Sequence, residues 1–165
     1  MIIFISGLSG TGKSALCEYF RNHPISGWSF YDFDKGNEKC PEDQTEHLSW
    51  RTRQMEYWLG VAKDDQNTNT MIFGLTIYPN QIMDLAKQRQ IDPKTIHCAL
   101  IDCASDERKS RIFKRGTPQH WQGHKDWYDE FYTVMRNECE NEFNTTNKSV
   151  EKSAKEIRDW ITSLG

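Results

Sequence analysis

No stretch of this chain approaches the ~20 consecutive apolar residues that a membrane-spanning helix needs, although 36% of the sequence is hydrophobic. A helical membrane protein is therefore excluded from the expectations. There is also no Cys-x-x-Cys pair. Cys17, Cys40, Cys98, Cys103 and Cys139 make an odd count, which argues against a disulfide framework and for free thiols in a reducing compartment. Neither a basic leader region nor a small-residue cleavage site precedes the first apolar run, and the protein is expected in the cytoplasm. A basic surplus is missing too: the net charge is -3, where a general nucleic-acid binder carries a basic face that neutralises several phosphates. Finally, no Pro/Gly/Ser-rich linker and no repeat period divides the 165 residues. The longest polar stretch, Lys63 to Thr70, fits one loop, so residues 1–165 are expected to form a single domain.

What the chain does contain is Gly7-Leu8-Ser9-Gly10-Thr11-Gly12-Lys13-Ser14, an unbroken G-x-x-x-x-G-K-S element between the apolar run Met1 to Ile5 and a helix-like run from Ala15 to Arg21. A strand before and a helix after are the context in which this spacing cradles phosphates. Glycines let backbone N–H groups close around the anion, Lys13 reaches the outer phosphates, Ser14 is suited to ligate Mg²⁺, and the following helix points its positive end at the same charge. The expected ligand is a nucleoside triphosphate, held by Gly7, Ser9, Gly10, Thr11, Gly12, Lys13, Ser14 and Ala15.

The apolar pattern alternates between strand and helix periods. Ile2 to Ile5 reads as a strand buried on both faces, and Trp28 to Phe33, Met71 to Leu75, Thr95 to Ile101 and Phe143 to Thr146 are further strand candidates. Helical spacing marks about 45–63, Asn80 to Gln90, Ser105 to Arg115 and about Ser149 to Leu164. Such alternation predicts a three-layer α/β/α domain around a mostly parallel five-stranded sheet, with the ligand at the carboxyl ends of the strands.

A second chemical cluster is Asp32-Phe33-Asp34 at the end of the second strand. It lies beside the phosphate site if strand 2 neighbours strand 1. Two such carboxylates can divide the work of phosphoryl transfer, Asp32 holding Mg²⁺ and Asp34 orienting or deprotonating an acceptor hydroxyl. The plainer reading is a pair of solvated acids in a turn before Gly36.

The loop GLSGTGKS followed by the strand-end DFD resembles the P-loop small-molecule kinases: shikimate kinase, gluconate kinase and their nucleoside-monophosphate kinase relatives. The resemblance covers most of the chain and implies a P-loop NTPase fold with a mobile lid, ATP as donor and Mg²⁺ as cofactor. It further implies that Arg51, on an acceptor-binding helix at about 45–63, grips an anionic group of the acceptor. Gly74, after the third strand, would let that acceptor approach the backbone. Arg111 and Arg115, entering a lid at about 115–126, would close over the transferring phosphate, and Thr146, in the loop before the last helix, would lie beside adenine. Arg51 suits a carboxylate or a phosphate equally, so the acceptor stays unassigned among metabolites, nucleosides and nucleoside monophosphates.

Other readings carry less. A guanine-nucleotide switch needs N-K-x-D, and the nearest match, Asn147-Lys148-Ser149-Val150, lacks the aspartate. A nucleotide-binding module without catalysis, or a kinase acting on polynucleotide ends, keeps the loop; the latter has only the Arg108 to Arg115 stretch to offer as a basic groove. Trp50, Trp58, Trp121 and Trp127, with Tyr57 and Tyr128, either line the acceptor pocket or, as helical spacing more often means, fill the core. His120 and His124 have the i, i+4 spacing of a zinc pair with no further ligands to complete a site.

Overall fold

β1 (Ile2–Ser6) is buried along its whole length. Its side chains alternate between two apolar layers, as a strand with period two must when both faces are covered. Ile2 and Phe4 pack into a cluster with Met55, Trp58, Leu59, Ile72 and Ile82. Ile3 and Ile5 face the opposite side, with Leu16, Phe20, Phe73, Ala154, Ile157 and Ile161. The computed structural model describes residues 1–65, 68–122 and 125–165. Among them the strands β2 (Trp28–Asp32), β3 (Asn69–Gly74), β4 (Ile96–Asp102) and β5 (Asn141–Asn144) complete one sheet in the order β2-β3-β1-β4-β5, with every neighbouring pair parallel.

The first layer carries α2 (His47–Asp64) and α3 (Pro79–Gln88), and the second carries α1 (Lys13–Asn22) and α7 (Val150–Ser163). This is the three-layer α/β/α arrangement that the alternating pattern predicts. Each end of α7 follows from its sequence: Ser149 caps it by accepting from the Lys152 N–H, while Ala154, Ile157 and Ile161 supply its buried stripe. α4 (Ser105–Lys114) starts with Asp106 and Glu107 in its first turn, where acids complement the helix dipole. Gly116, at φ 77°, then terminates the segment after Arg115.

Three expectations need adjustment. β3, not β2, is paired to β1, so Asp32 does not reach the phosphate loop through strand adjacency. β5 runs two residues earlier than the Phe143 to Thr146 reading. The region beyond residue 115 is also more helical than expected: a short α5 (Gln119–Gln122) is followed by α6 (Lys125–Glu138). Trp127, Tyr128, Phe131, Tyr132 and Met135 repeat at one- and three-residue intervals there, the stripe of an amphipathic helix. Tyr128, Phe131 and Met135 bury that stripe with Leu8 and Leu100 in a third cluster.

The strand order reverses around β1, because the chain moves to one side for β2 and β3 and to the other for β4 and β5. Such a reversal opens a crevice at the carboxyl ends of the strands. The loops after β1, β2, β3 and β5 all emerge there.

Candidate active site

The loop after β1 is held in shape by a set of bonds around it. Gly10 and Gly12 adopt φ of 86° and 99°, left-handed values that cost a residue with a Cβ 1 kcal/mol or more, on the order of the usual penalty. The Thr11 hydroxyl donates to the Leu8 carbonyl at 2.8 Å, and Thr145 donates to the Thr11 carbonyl at 2.9 Å. A Cβ at Gly7 would run into the Ile101 carbonyl, which is why the first position of the motif has no side chain here. α1 then begins with Gly12 as its cap and no acidic residue in its first turn. Nothing in that turn competes with an anion for the free N–H groups.

Lys13 donates to the Leu8 carbonyl at 2.7 Å. Desolvation lowers its pKa to about 8, opposed by the negative charges of Asp34 and Asp32 and reinforced by the positive charges of Arg115 and Arg108. These four side chains therefore converge electrostatically on the ammonium, although they come from two separate stretches of chain. Asp34 is pushed above the ordinary carboxylate range by desolvation, which Lys13 and Arg51 oppose and Asp32 reinforces. An Asp32 Oδ1 accepts from the Asp34 N–H at 3.2 Å, so the first carboxylate fixes the backbone that carries the second.

Arg51 lies on α2 with its guanidinium 5.5 Å from the centre of the Trp127 ring. Its pKa is lowered by desolvation, against the attraction of Cys40, Asp34 and Tyr78. It lines a cavity of about 470 Å³ formed by α2, the 76–78 segment and α6. The charges of Lys13 and Arg51 thus both act on Asp34.

The remaining sequence candidates sit as follows. Gly74 ends β3, accepts from the Gly7 N–H at 3.2 Å, and leaves room for Phe33, into which a Cβ would project. Arg111 is tethered: it donates to the Gly10 carbonyl at 3.3 Å, to Thr145 Oγ1 and the Thr145 carbonyl at 3.0 Å each, and to Glu107 at 2.6 Å. It lines a cavity of about 230 Å³ with Gly12, Ala15, Thr145 and Lys148. Thr146 turns away to accept from the Ala104 N–H at 2.7 Å, and its neighbour Thr145 lines that cavity instead. Arg115 donates to Thr117 at 3.1 Å and approaches His120 Nδ1 at 3.4 Å. His124 lies outside the described residues. Among the aromatics, Trp50 and Trp58 are core residues at 3% exposure each, whereas Trp127 lines the larger cavity.

Sequence reasoning missed two groups. Arg108 is 3% exposed, with its guanidinium 4.3 Å from the Tyr128 ring centre and 5.0 Å from that of Trp121. It donates to the Tyr132 hydroxyl at 3.0 Å, which donates to Asp102 at 2.5 Å, while its Nε has no partner among the described residues. The signal was its position: 108, 111 and 115 recur at i, i+3 and i+7 on one helix face. The second group is a clamp on the loop that carries Asp34. Trp58 Nε1 donates to the Phe33 carbonyl at 3.0 Å, while Trp50 Nε1 and Gln54 Nε2 both donate to the Glu38 carbonyl, at 3.3 and 2.8 Å. Residues 50, 54 and 58 again share one helix face.

The described residues contain no group of three or more His, Cys, Asp or Glu able to hold a metal by themselves. Mg²⁺ needs no such cage, since it keeps several waters and binds through one or two carboxylates together with phosphates. The Ser14 hydroxyl, at the start of α1, and the Asp32 carboxylate, whose charge acts on Lys13, are oxygen donors of the kind it takes.

No protein-family model matches the chain, and no curated protein sequence matches it. Solved structures do. The shikimate kinase of Acinetobacter baumannii, in complex with shikimate, is 14% identical over 98% of this chain and 93% of its own, with a TM-score of 0.67. The tunicamycin resistance protein of Deinococcus radiodurans is 16% identical over 97% and 94%, with a TM-score of 0.66. The Mycobacterium tuberculosis APS kinase, in complex with AMPPNP and APS, is 14% identical over 98% and 96%, with a TM-score of 0.53. The chain is thus similar from end to end to these proteins, and its fold is that of the P-loop small-molecule kinases.

Proposed function

We propose that the protein is an ATP- and Mg²⁺-dependent phosphotransferase acting on a small acceptor that carries an anionic group. The observation that supports this best is the position of Asp34, within electrostatic reach of both Lys13 and Arg51. A carboxylate joining a triphosphate loop to a second, separately charged pocket is what transfer requires and what nucleotide storage does not. The backbone N–H groups of the loop and first turn of α1 that are not bonded within the protein, and the Lys13 ammonium, hold the β- and γ-phosphates. Ser14 and Asp32 hold Mg²⁺, which when bound neutralises charge on the phosphate oxygens.

Arg115 and Arg108 bring positive charge to the side of Lys13 where charge develops in the transition state. Arg111, fixed between Gly10 and Thr145, braces the loop and walls the smaller cavity, where a base would lie. Arg51 holds the acceptor's anion, and Asp34 orients its hydroxyl and takes its proton. Catalysis then comes from positioning and electrostatics, with no covalent enzyme intermediate. Closure of residues 115–126 over the phosphates would keep water out.

The test is ADP release from Mg-ATP with a panel of nucleosides, nucleoside monophosphates, sugar acids, hydroxy-acids and hydroxylated amino acids. One class should stimulate release and accumulate a phosphorylated product. Tight ATP binding with no transfer to any of them would instead make the chain a nucleotide-binding module.

A further inference from the structure

The cavity lined by Arg51, whose charge acts on Asp34, has two charged walls that form no ion pair with each other. Arg51 stands over Trp127 on one side, and Glu130 lines the same cavity from α6, three residues beyond Trp127 and therefore on the same part of the helix surface. Neither forms an ion pair with any described side chain. Tyr78 lines the same cavity, and Glu130 and Arg51 act on its hydroxyl with opposite sign. Leu48, Ile77 and the Tyr78 and Trp127 rings supply apolar wall.

Each class of acceptor meets these walls differently. A hydroxy-acid satisfies Arg51 but brings its negative charge into a cavity shared with Glu130. A phosphate dianion does so more severely, and a neutral polyol pairs with neither charge while placing its hydroxyls against apolar wall. A molecule with an acid at one end and an ammonium at the other answers both charges at once. It also gives each charge a partner when the bound molecule covers it.

We infer that the acceptor is a hydroxylated zwitterion, its acid at Arg51, its ammonium at Glu130, and an apolar or aromatic body between them. This rests on the phosphotransferase reading. The acceptor hydroxyl oxygen forms a bond to the γ-phosphorus as the bond to the β,γ-bridging oxygen breaks, the hydroxyl proton passes to Asp34, and the products are ADP and a phosphate monoester. The cavity, at about 470 Å³, is of small-molecule size and has room for more than serine.

The experiment measures binding rather than turnover. Calorimetric titrations, with a non-hydrolysable ATP analogue and Mg²⁺ present, compare L-homoserine, L-tyrosine and seryl-phenylalanine with their N-acetyl and C-amide forms, and with shikimate, gluconate and uridine. At least one zwitterion should bind, and blocking either end should weaken it tenfold or more. Glu130→Gln should cut zwitterion affinity about tenfold, the size of one charged contact, and leave the N-acetyl form unchanged or better bound. Because Glu130 is exposed, its replacement spares the fold, which an unchanged thermal midpoint verifies. Tighter binding of shikimate, gluconate or uridine than of every zwitterion overturns the inference. So does equal binding of an N-acetyl form, or silence across the whole set. Zwitterion binding without phosphoryl transfer would sink the kinase reading alone, whereas transfer to gluconate or shikimate would sink the acceptor class alone.

Discussion

The two halves of the crevice are built on opposite plans. The donor half is one continuous segment, residues 7–15, whose working groups are mostly backbone N–H. Its side chains mainly hold the loop in shape, as Thr11 does on Leu8 and Thr145 on Thr11. The acceptor half draws its walls from α2, the 76–78 segment and α6, and every recognition element in it is a side chain. A backbone cradle suits a ligand part common to all triphosphates, while a side-chain pocket changes its ligand by substitution without disturbing the loop.

The sharpest way to break that division is Lys13→Met. Transfer should fall on the order of 10³-fold, the upper size for removing one charge-stabilising donor, while acceptor binding measured calorimetrically stays within about twofold, since Lys13 does not line the acceptor cavity. Loss of acceptor binding as well would mean that the halves are not separable. Asp34→Asn comes next, because Asp34 belongs to both halves. Turnover should drop by about 10² or more, as removal of a general base does, with ATP affinity little changed. In the unsubstituted protein the acid limb of the rate profile should lie above the ordinary carboxylate range, because desolvation raises the pKa of Asp34 and only its deprotonated form accepts the proton. A rate unaffected by Asp34→Asn removes this carboxylate from the mechanism.

The same contrast explains what could be read from the sequence. The donor half was legible because its eight residues are adjacent and its glycines are demanded by local geometry, φ at Gly10 and Gly12 and crowding at Gly7. β1 was legible because an apolar run buried on both faces leaves no other reading. The order of strands was not. Whether β2 or β3 sits beside β1 depends on how helices pack over distant strands, and the conditional placement of Asp32 beside the loop failed on that point. α6 carried a readable stripe, yet of its residues only Trp127 and Tyr128 entered the expectations, and no element was expected between the lid at about 115–126 and the fifth strand. Arg51 followed from resemblance, but Trp127, Tyr78 and Glu130, which line the same cavity, come from segments that no spacing rule connects to it.

Arg51→Gln should sharpen the comparison from the acceptor side. The acceptor KM should rise by about 10- to 100-fold, the range for losing a hydrogen bond to a charged group, while ATP KM stays constant in steady-state assays. An equal rise in both would place Arg51 in the donor half. The pH dependence of nucleotide binding tests the donor side. Desolvation lowers Lys13 to about 8, and a bound triphosphate favours the charged form, so the pKa rises on binding. Above about pH 8 the free protein loses the proton that the complex retains. Affinity should therefore weaken, by up to about tenfold per pH unit, with proton uptake measurable by calorimetry in buffers of different ionisation enthalpy. Affinity that stays flat to pH 10 would contradict the depressed Lys13.

The smallest effect should come from Trp58→Phe, which keeps an aromatic ring, though a smaller one, in the core near Tyr31 but deletes the donor to the Phe33 carbonyl. Leaving that buried carbonyl without its partner should cost about 1–3 kcal/mol in denaturant unfolding. The consequence for activity distinguishes a clamp from mere packing. Phe33 lies between Asp32 and Asp34 and fills the space that Gly74 leaves open, so loosening its carbonyl releases the carboxylates without touching Lys13 or Arg51. At a temperature where the variant is fully folded, kcat should decline while the KM for ATP and the KM for acceptor both hold. If kcat is untouched once folding is matched, Trp58 only supports the core, and the geometry of Asp34 is set by the Trp50 and Gln54 bonds to Glu38 instead.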